Sequence, residues 1–468
     1  MDRHDHDAPQ ADGIVHAPDG PRAGGRPAVS RLQRRQAVLN ALAAAAQTRQ
    51  RDSPCLRGVQ EIVWELDDGK CAEAFPAFQC LKGARDLISL KISLHDNGIT
   101  ADQVAAFGDH LGHLHQLQRL ALSFRKNQIA GEKLDHLCNG IGACTQLSHL
   151  ELDFGDNRIT SGFLETLGRA IRPCPHLMSL LVQLDSNQIT GKYLTPFAEE
   201  VGHCAQLTSC NLDLSDNEIT AKHIGTFGEK LGCCERLSTL SLNFRSNSIT
   251  GINLEAFGAG IGQCPALTSL TLVFAETETT GGSFGAMIKG IGQCAQLEYL
   301  DLNFSYNQIA EDSLEAFGEG IGSCRNLTSL MLKLQRNQIT GKALARFGAG
   351  IGRCAKLESL HLDLSNNMIP GRYAKQFAEA IGVFDQLTKL ALQLSGNSDL
   401  KDRGALSVAR LLRRHRLREC TVELTGTGIT ARAAAAIRDA NPAVNLQADA
   451  FMPAIREDDE ESVEDFSL

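Results

Sequence analysis

"LQRLALSFRKNQIAGEKLDHLCNGIGAC" occupies residues 117–144. Its first part alternates: Leu120, Leu122 and Phe124 are apolar, and Arg119, Ala121, Ser123 and Arg125 between them are polar or small. A period of two is one face of a short strand. Further on, Leu134, Leu137 and Ile141 follow spacings of three and four, one stripe of a helix. Asn127 stands between the two parts, and Gly142 and Cys144 close the stretch. Taken alone, such an ending suggests a phosphate-cradling loop or a reactive thiol, as does "FGAGIGQC" at 257–264. The chain repeats it as "FGEGIGSC" at 317–324 and "FGAGIGRC" at 347–354. A catalytic loop is needed once, whereas scaffold is written many times.

The period is 30 residues. Asparagines fall at 97, 127, 157, 187, 217, 247, 307, 337, 367 and 397, with Thr277 at the skipped beat and Thr427 continuing the register. That makes twelve units, with a degenerate one in front at "EIVWELDD" (61–68). Each reads as strand, turn, helix, turn, the signature of a solenoid. Thr100, Thr160, Thr190, Thr220, Thr250 and Thr340 precede the helical stripe and are expected as N-caps. Gly112, Gly142, Gly202, Gly232, Gly262, Gly292, Gly322, Gly352 and Gly382 end it, where a left-handed residue would terminate the helix. One unit cannot bury its apolar side alone, but stacked units can. The strands then form a parallel sheet, and the helices form the opposite wall.

The unit, L-x-x-L-x-L-x-F/L-x-x-N-x-I-T followed by a helix, resembles the leucine-rich repeat of the helical, ribonuclease-inhibitor-like class over roughly residues 87–446. Two residues are added between the third leucine and the asparagine, read as a strand longer by one inward side chain such as Phe124, Phe154, Phe244 or Phe304. The resemblance implies an α/β leucine-rich-repeat solenoid, a horseshoe with its parallel sheet on the concave face and its helices on the convex face. It also implies a protein partner gripped on the concave face.

The periodic polar residues have structural explanations. An asparagine carries both an amide donor and a carbonyl acceptor, so a buried column can satisfy the backbone where each strand turns away. The cysteines at 144, 174, 204, 234, 264, 294, 324 and 354 share their place with Leu114 and Phe384 in flanking units, which marks an apolar pocket. Cys210 and Cys420 stand at leucine positions; Cys55, Cys71, Cys80, Cys138 and Cys233 fall outside the column. A linear column does not supply the four convergent ligands of a zinc cluster. Gly228, Gly258, Gly318 and Gly348 share a column with Ala198 and Ala378, so a small residue is needed where helices pack closely. The unit "LVFAETETTGGSF" (272–284) departs most, with Thr277 and Thr279 in place of Asn and Ile. A weaker ladder is expected there, from drift or from a hinge or partner contact.

Composition narrows the function classes. The net charge of −9 argues against nucleic acid as the main partner. No apolar run approaches the roughly 18 residues of a membrane span, and no secretory signal is visible. An odd count of 15 cysteines in a long chain points to reduced thiols in a cytoplasm-like compartment. No Ser/His/Asp or metal constellation stands out from the periodic background, so no enzyme, cofactor or metal is expected. His110, His113 and His115 near one helix end are the residual metal candidates, whereas His4, His6 and His16 fall in the N-terminal stretch expected to be disordered.

Information then remains in the outward strand positions. Early units show Lys91, His95, Arg119, Arg125 and Lys126; the next show Glu151, Asp153, Asp156, Asp185, Asp213 and Asp216. Later come Tyr299, Asp301, Tyr306, Lys333 and Arg336. These read either as a solvated polar face or as charged footprints for a partner, and tyrosine and arginine are favoured hot-spot residues. The ends differ from the repeats. Residues 1–29 are expected to be disordered, 30–86 to hold a basic helical cap and the degenerate first repeat, and 447–468 to form an acidic tail. The expectation is a monomeric, non-enzymatic protein-binding scaffold, with effector-like proteins delivered into host cells and innate sensors using similar repeats. The alternative is a GTPase-activating regulator, because helical leucine-rich repeats followed by an acidic stretch are similar to the activator of the GTPase Ran.

Overall fold

The computed structural model describes residues 14–15, 58–65, 78–79, 81–251, 253–381 and 384–449. The expected basic helix over 30–51, Cys55, Cys71, Cys80, the three N-terminal histidines and the acidic stretch at 456–468 lie outside the described residues. The chain divides into two units, Met1–Asn247 and Ser248–Leu468.

In the first unit the strands are β1 (Ile14–Val15), β2 (Glu61–Glu65), β3 (Ser89–Ser93), β4 (Arg119–Ser123), β5 (His149–Asp153), β6 (Ser179–Gln183), β7 (Ser209–Asp213) and β8 (Thr239–Asn243). Each pairs in parallel with the next, and from β3 onward the register advances 30 residues per strand: Leu120 lies opposite Leu150, and Leu150 opposite Leu180. The helices are α1 (Ala101–Leu111), α2 (Leu134–Ala143), α3 (Gly162–Ile171), α4 (Leu194–Gly202) and α5 (Ile224–Leu231). In the second unit they are α6 (Leu254–Ile261), α7 (Gly281–Ile291), α8 (Glu311–Ile321), α9 (Leu344–Ile351), α10 (Gly371–Ile381), α11 (Lys401–Arg414) and α12 (Ala431–Ala440). The second unit's strands are β9 (Ser269–Val273), β10 (Tyr299–Asn303), β11 (Ser329–Lys333), β12 (Ser359–Asp363), β13 (Lys389–Gln393), β14 (Glu419–Glu423) and β15 (Val444–Gln447), again parallel throughout. Each unit is thus an α/β solenoid of the leucine-rich-repeat kind, with strands on one side and helices on the other.

The alternating apolar residues of β3 to β14 are buried, and the added inward residue is buried with them: Phe124, Phe154, Phe244 and Phe304 are fully enclosed. Phe124 and Phe154 meet at 5.4 Å between ring centroids, and Phe284 stacks on Phe304 at 4.3 Å, within the range where aromatic pairs attract.

The ladder is explicit at Asn157. Its Oδ1 accepts the N–H groups of Asn127 (3.1 Å) and Ile129 (2.9 Å), and its Nδ2 donates to the carbonyls of Phe124, Phe154 and Gly155 at 3.0–3.1 Å. One side chain thereby serves backbone groups in two successive coils, as buried peptide groups demand. The irregular coil keeps this service. Thr277 donates its N–H to Asn307 Oδ1 (3.2 Å) and its hydroxyl to Phe274 O (3.0 Å), while the Thr279 hydroxyl donates to Ile249 O. Thr277 and Thr279 are fully buried, so two hydroxyls occupy the rung in place of one amide.

The column cysteines are buried. Cys144 Sγ lies 3.4 Å from Leu111 O and Cys354 Sγ 3.3 Å from Ile321 O, so these two thiols donate to the final helical carbonyl of the preceding coil, while Cys174 Sγ faces the Cys144 carbonyl at 3.7 Å. Burial raises the thiols of Cys144, Cys294 and Cys324 to about 12, which keeps them protonated and unreactive. Cys138 is buried too, and Cys233 is exposed.

Two expectations about helix ends need correction. The glycines that follow the helices are right-handed: φ is −56° at Gly112, −59° at Gly262 and −64° at Gly322. At Gly262, Gly292 and Gly322 the neighbouring coil leaves no room for a side chain, since a Cβ on Gly262 would stand 2.3 Å from Gly290 O, whereas one on Gly112 would meet nothing closer than 3.8 Å. Thr100 does cap α1, in a capping box with Gln103. Thr220, however, precedes a 3-10 turn with no side-chain bond, and Thr340 donates instead to Glu311 of the preceding coil. The small-residue column does mark close helix contact: a Cβ on Gly258 would fall 2.1 Å from Met287 O.

Candidate protein-binding surface

The sheet side of each coil presents the odd-numbered strand residues and then two positions beyond the strand. The second of these, just before the ladder residue, has a left-handed backbone. Asp96, Lys126, Asp156, Ser186, Asp216, Ser246, Glu276, Tyr306, Arg336 and Asn366 all have φ between 52° and 59°. This conformation costs a non-glycine residue roughly 1 kcal/mol or more. It is held by the ladder and by a backbone bond to the following coil, as in Asp156 N–H to Asp185 O (2.8 Å) and Tyr306 N–H to Gln335 O (2.9 Å).

In the first unit the expected basic and acidic groups are interleaved. Arg125 reaches across two coils to Asp185 through a fork of two bonds, one of 2.8 Å, and lies 3.6 Å from Asp153. The carboxylate of Asp185 holds the Arg125 guanidinium well above its ordinary range. Asp153 also accepts the Ser123 hydroxyl (2.8 Å) and the Gly155 N–H (3.1 Å). Asp213 accepts from the N–H and hydroxyl of Ser215 and from Asn243 Nδ2 (3.1 Å). Lys91 pairs with Glu65 at 3.2 Å and Lys126 with Asp96 at 2.8 Å. Glu151, Asp156, Asp216 and Arg119 are exposed on the same face, and His95 is half-buried.

In the second unit the arrangement is less compensated. Tyr299 and Asp301 are half-buried on β10, between Ser269 and Thr271 of β9 and Ser329 and Met331 of β11. Asp301 Oδ1 is buried and accepts no hydrogen bond from a described residue. Burial raises its pKa, against the pull of Lys333 and His361. Burial, then the charge of Asp301, also raises the Tyr299 phenol. Tyr306 is 41% exposed, and the Arg336 guanidinium lies 5.2 Å above its ring centroid, a cation–π pair. Beside them, Asn307, Arg336, Asn337, Gln338 and Asn366 line an open depression of about 570 Å³. The structure adds His361, Met331 and Asn366 to the surface. His361 and Met331 share the strand column of Asp301, which the 30-residue register could have revealed.

Among the described residues no group of three or more His, Cys, Asp or Glu could hold a metal, His110, His113 and His115 included. Among them, too, no helix is long and apolar enough to cross a membrane. No protein-family model matches the chain, and no curated protein matches it. Among solved structures it is similar to an internalin from Listeria monocytogenes, with 15% identity over 89% of this chain and 95% of that one, at a TM-score of 0.46.

Proposed function

We propose that the chain is a non-enzymatic, protein-binding scaffold of the helical, ribonuclease-inhibitor-like class, with twelve repeats over 87–446 and a partner on the sheet face. Tyr299, Asp301, Tyr306, Lys333 and Arg336 form its central contact, with Glu151, Asp153, Asp156, Asp185, Asp213 and Asp216 as a second, acidic contact. The observation that carries this reading is Tyr306. A large aromatic side chain is fixed in an unfavourable backbone conformation, exposed, and covered on one side by Arg336. Rigid aromatic and arginine side chains are the residues that dominate binding energy at interfaces. The free thiols among the described residues fit a reducing compartment, and the proposal places an effector- or sensor-like role there. The test compares wild type with Tyr299→Ala/Tyr306→Ala/Arg336→Ala as bait in quantitative affinity purification. Partner recovery should fall at least about tenfold, the loss of roughly 1.4 kcal/mol or more, while circular dichroism and melting stay unchanged. Identical recovery would remove this patch from the interface.

A further inference from the structure

The second unit carries a basic face on the helix side, apart from the surface above. Lys401, Arg403, Arg410, Arg413 and Arg414 on α11, and Arg416 and Arg418 in the loop after it, are all exposed. None of Lys401, Arg403, Arg413, Arg414, Arg416 or Arg418 forms an ion pair with a described residue. Two nearby carboxylates are committed elsewhere: Glu419 pairs with Lys389 at 2.7 Å, and Asp402 accepts the Thr430 N–H and hydroxyl at 2.7 Å each. Helix stability accounts for only part of this. Cations at Arg413 and Arg414 suit the negative end of the helix dipole, but Lys401 and Arg403 stand in its first turn, where the dipole disfavours them. A chain of net charge −9 therefore concentrates unneutralised guanidinium groups in one place.

We propose that this face is a docking surface for an acidic peptide segment, and that its occupant is this chain's own residues 456–468. That segment, "REDDEESVEDFSL", holds seven acidic residues in thirteen. Guanidinium forks match carboxylates bidentately, which lysine cannot do. The geometry permits the contact. Asp449 accepts the Gly426 N–H, and the neighbouring Thr427 carbonyl accepts the N–H of Lys401 at 3.1 Å, so the chain leaves the last coil beside the start of α11. The 14 residues of α11 span about 21 Å. The eight residues from Asp449 to Glu457 reach up to about 26 Å when extended, enough to lay the acidic run along the arginines.

The test uses the full-length chain and a fluorescein-labelled peptide of sequence 456–468 as probe, followed by anisotropy at low salt. A tethered segment competes at an effective concentration on the order of millimolar, so wild type should bind the free peptide weakly. Neutralising the segment with Asp458→Asn/Asp459→Asn/Glu460→Gln/Glu461→Gln should tighten peptide binding about fivefold or more. Adding Arg413→Glu/Arg414→Glu/Arg416→Glu to that variant should abolish it; Arg→Gln at the same three positions serves if charge reversal perturbs the fold by circular dichroism. Equal binding by wild type and the neutralised chain would overturn the assignment, as would binding that survives loss of the arginines. Arginine-dependent capture of a 20-nucleotide RNA or of phosphatidylserine vesicles by wild type, as tight as peptide capture by the neutralised chain, would give the face to another polyanion and overturn it equally.

Discussion

The two units meet the same demands with different side chains. In the first, every rung from Asn97 to Asn247 is an asparagine, and several charges on the sheet face are paired, with Arg125 set between Asp153 and Asp185. In the second, one rung is a pair of threonines, and Asp301 sits half-buried with one oxygen unanswered. A backbone that needs donors and acceptors at fixed points accepts any chemistry that supplies them. A surface does not have to be neutral to be folded, but where it is not, something else is invited to neutralise it.

The ladder gives the largest test of this contrast. Asn157→Ala removes five hydrogen bonds from buried backbone and should cost about 3 kcal/mol or more, with hydrogen exchange accelerating first at the Asn127 and Ile129 amides. Thr279→Val deletes the bond to Ile249 and the contact between the Thr277 and Thr279 hydroxyls at nearly constant volume and should cost about half as much. Equal costs would mean that the threonine rung is as heavily used as the asparagine one.

Next comes Arg125→Ala, which leaves Asp153 and Asp185 facing each other without a cation. The guanidinium is one-third exposed, so a loss of about 1 kcal/mol in urea denaturation is expected after allowing for solvent screening. Arg125→Lys should recover less than half, because an ammonium cannot make the fork. The smallest effect is at Asp301. Its pKa is raised above the ordinary 3.8 by burial, so the native state binds the proton more tightly than the unfolded one. Its carboxylate therefore opposes folding at neutral pH, and stability is regained as pH falls through the raised value toward 3.8. Asp301→Asn should stabilise the protein slightly at pH 7 and remove that acid-side gain, seen by comparing melting temperatures at pH 7 and pH 4.5. The reverse slope would show that Lys333 and His361 outweigh burial.

The period made the strands, the helical stripes, the asparagine ladder and the buried thiols legible, because each is a one-column rule that repetition exposes. Helix ends were less legible. The glycine column reads equally well as a left-handed terminator or as a close contact, and the right-handed backbone of Gly262 together with the approach of Gly290 separates the two. The rung at Thr277 read as damage because asparagine was missing, although Thr279 two residues on supplies the second hydroxyl. On the candidate surface, sequence supplied the outward residues but not their bonds. Arg125 and Asp185 are 60 positions apart, and no local pattern says that one reaches the other. The left-handed column was invisible, since aspartate, lysine, serine, tyrosine and arginine all occupy it.

That column has a practical corollary. Its residues share one backbone pose whatever their side chain, and successive coils set them about 4.8 Å apart. They behave as interchangeable pegs on a fixed rail. A combinatorial library confined to those places would vary the displayed chemistry while the rail stays the same, and glycine at any peg would strengthen the rail at the cost of a blank.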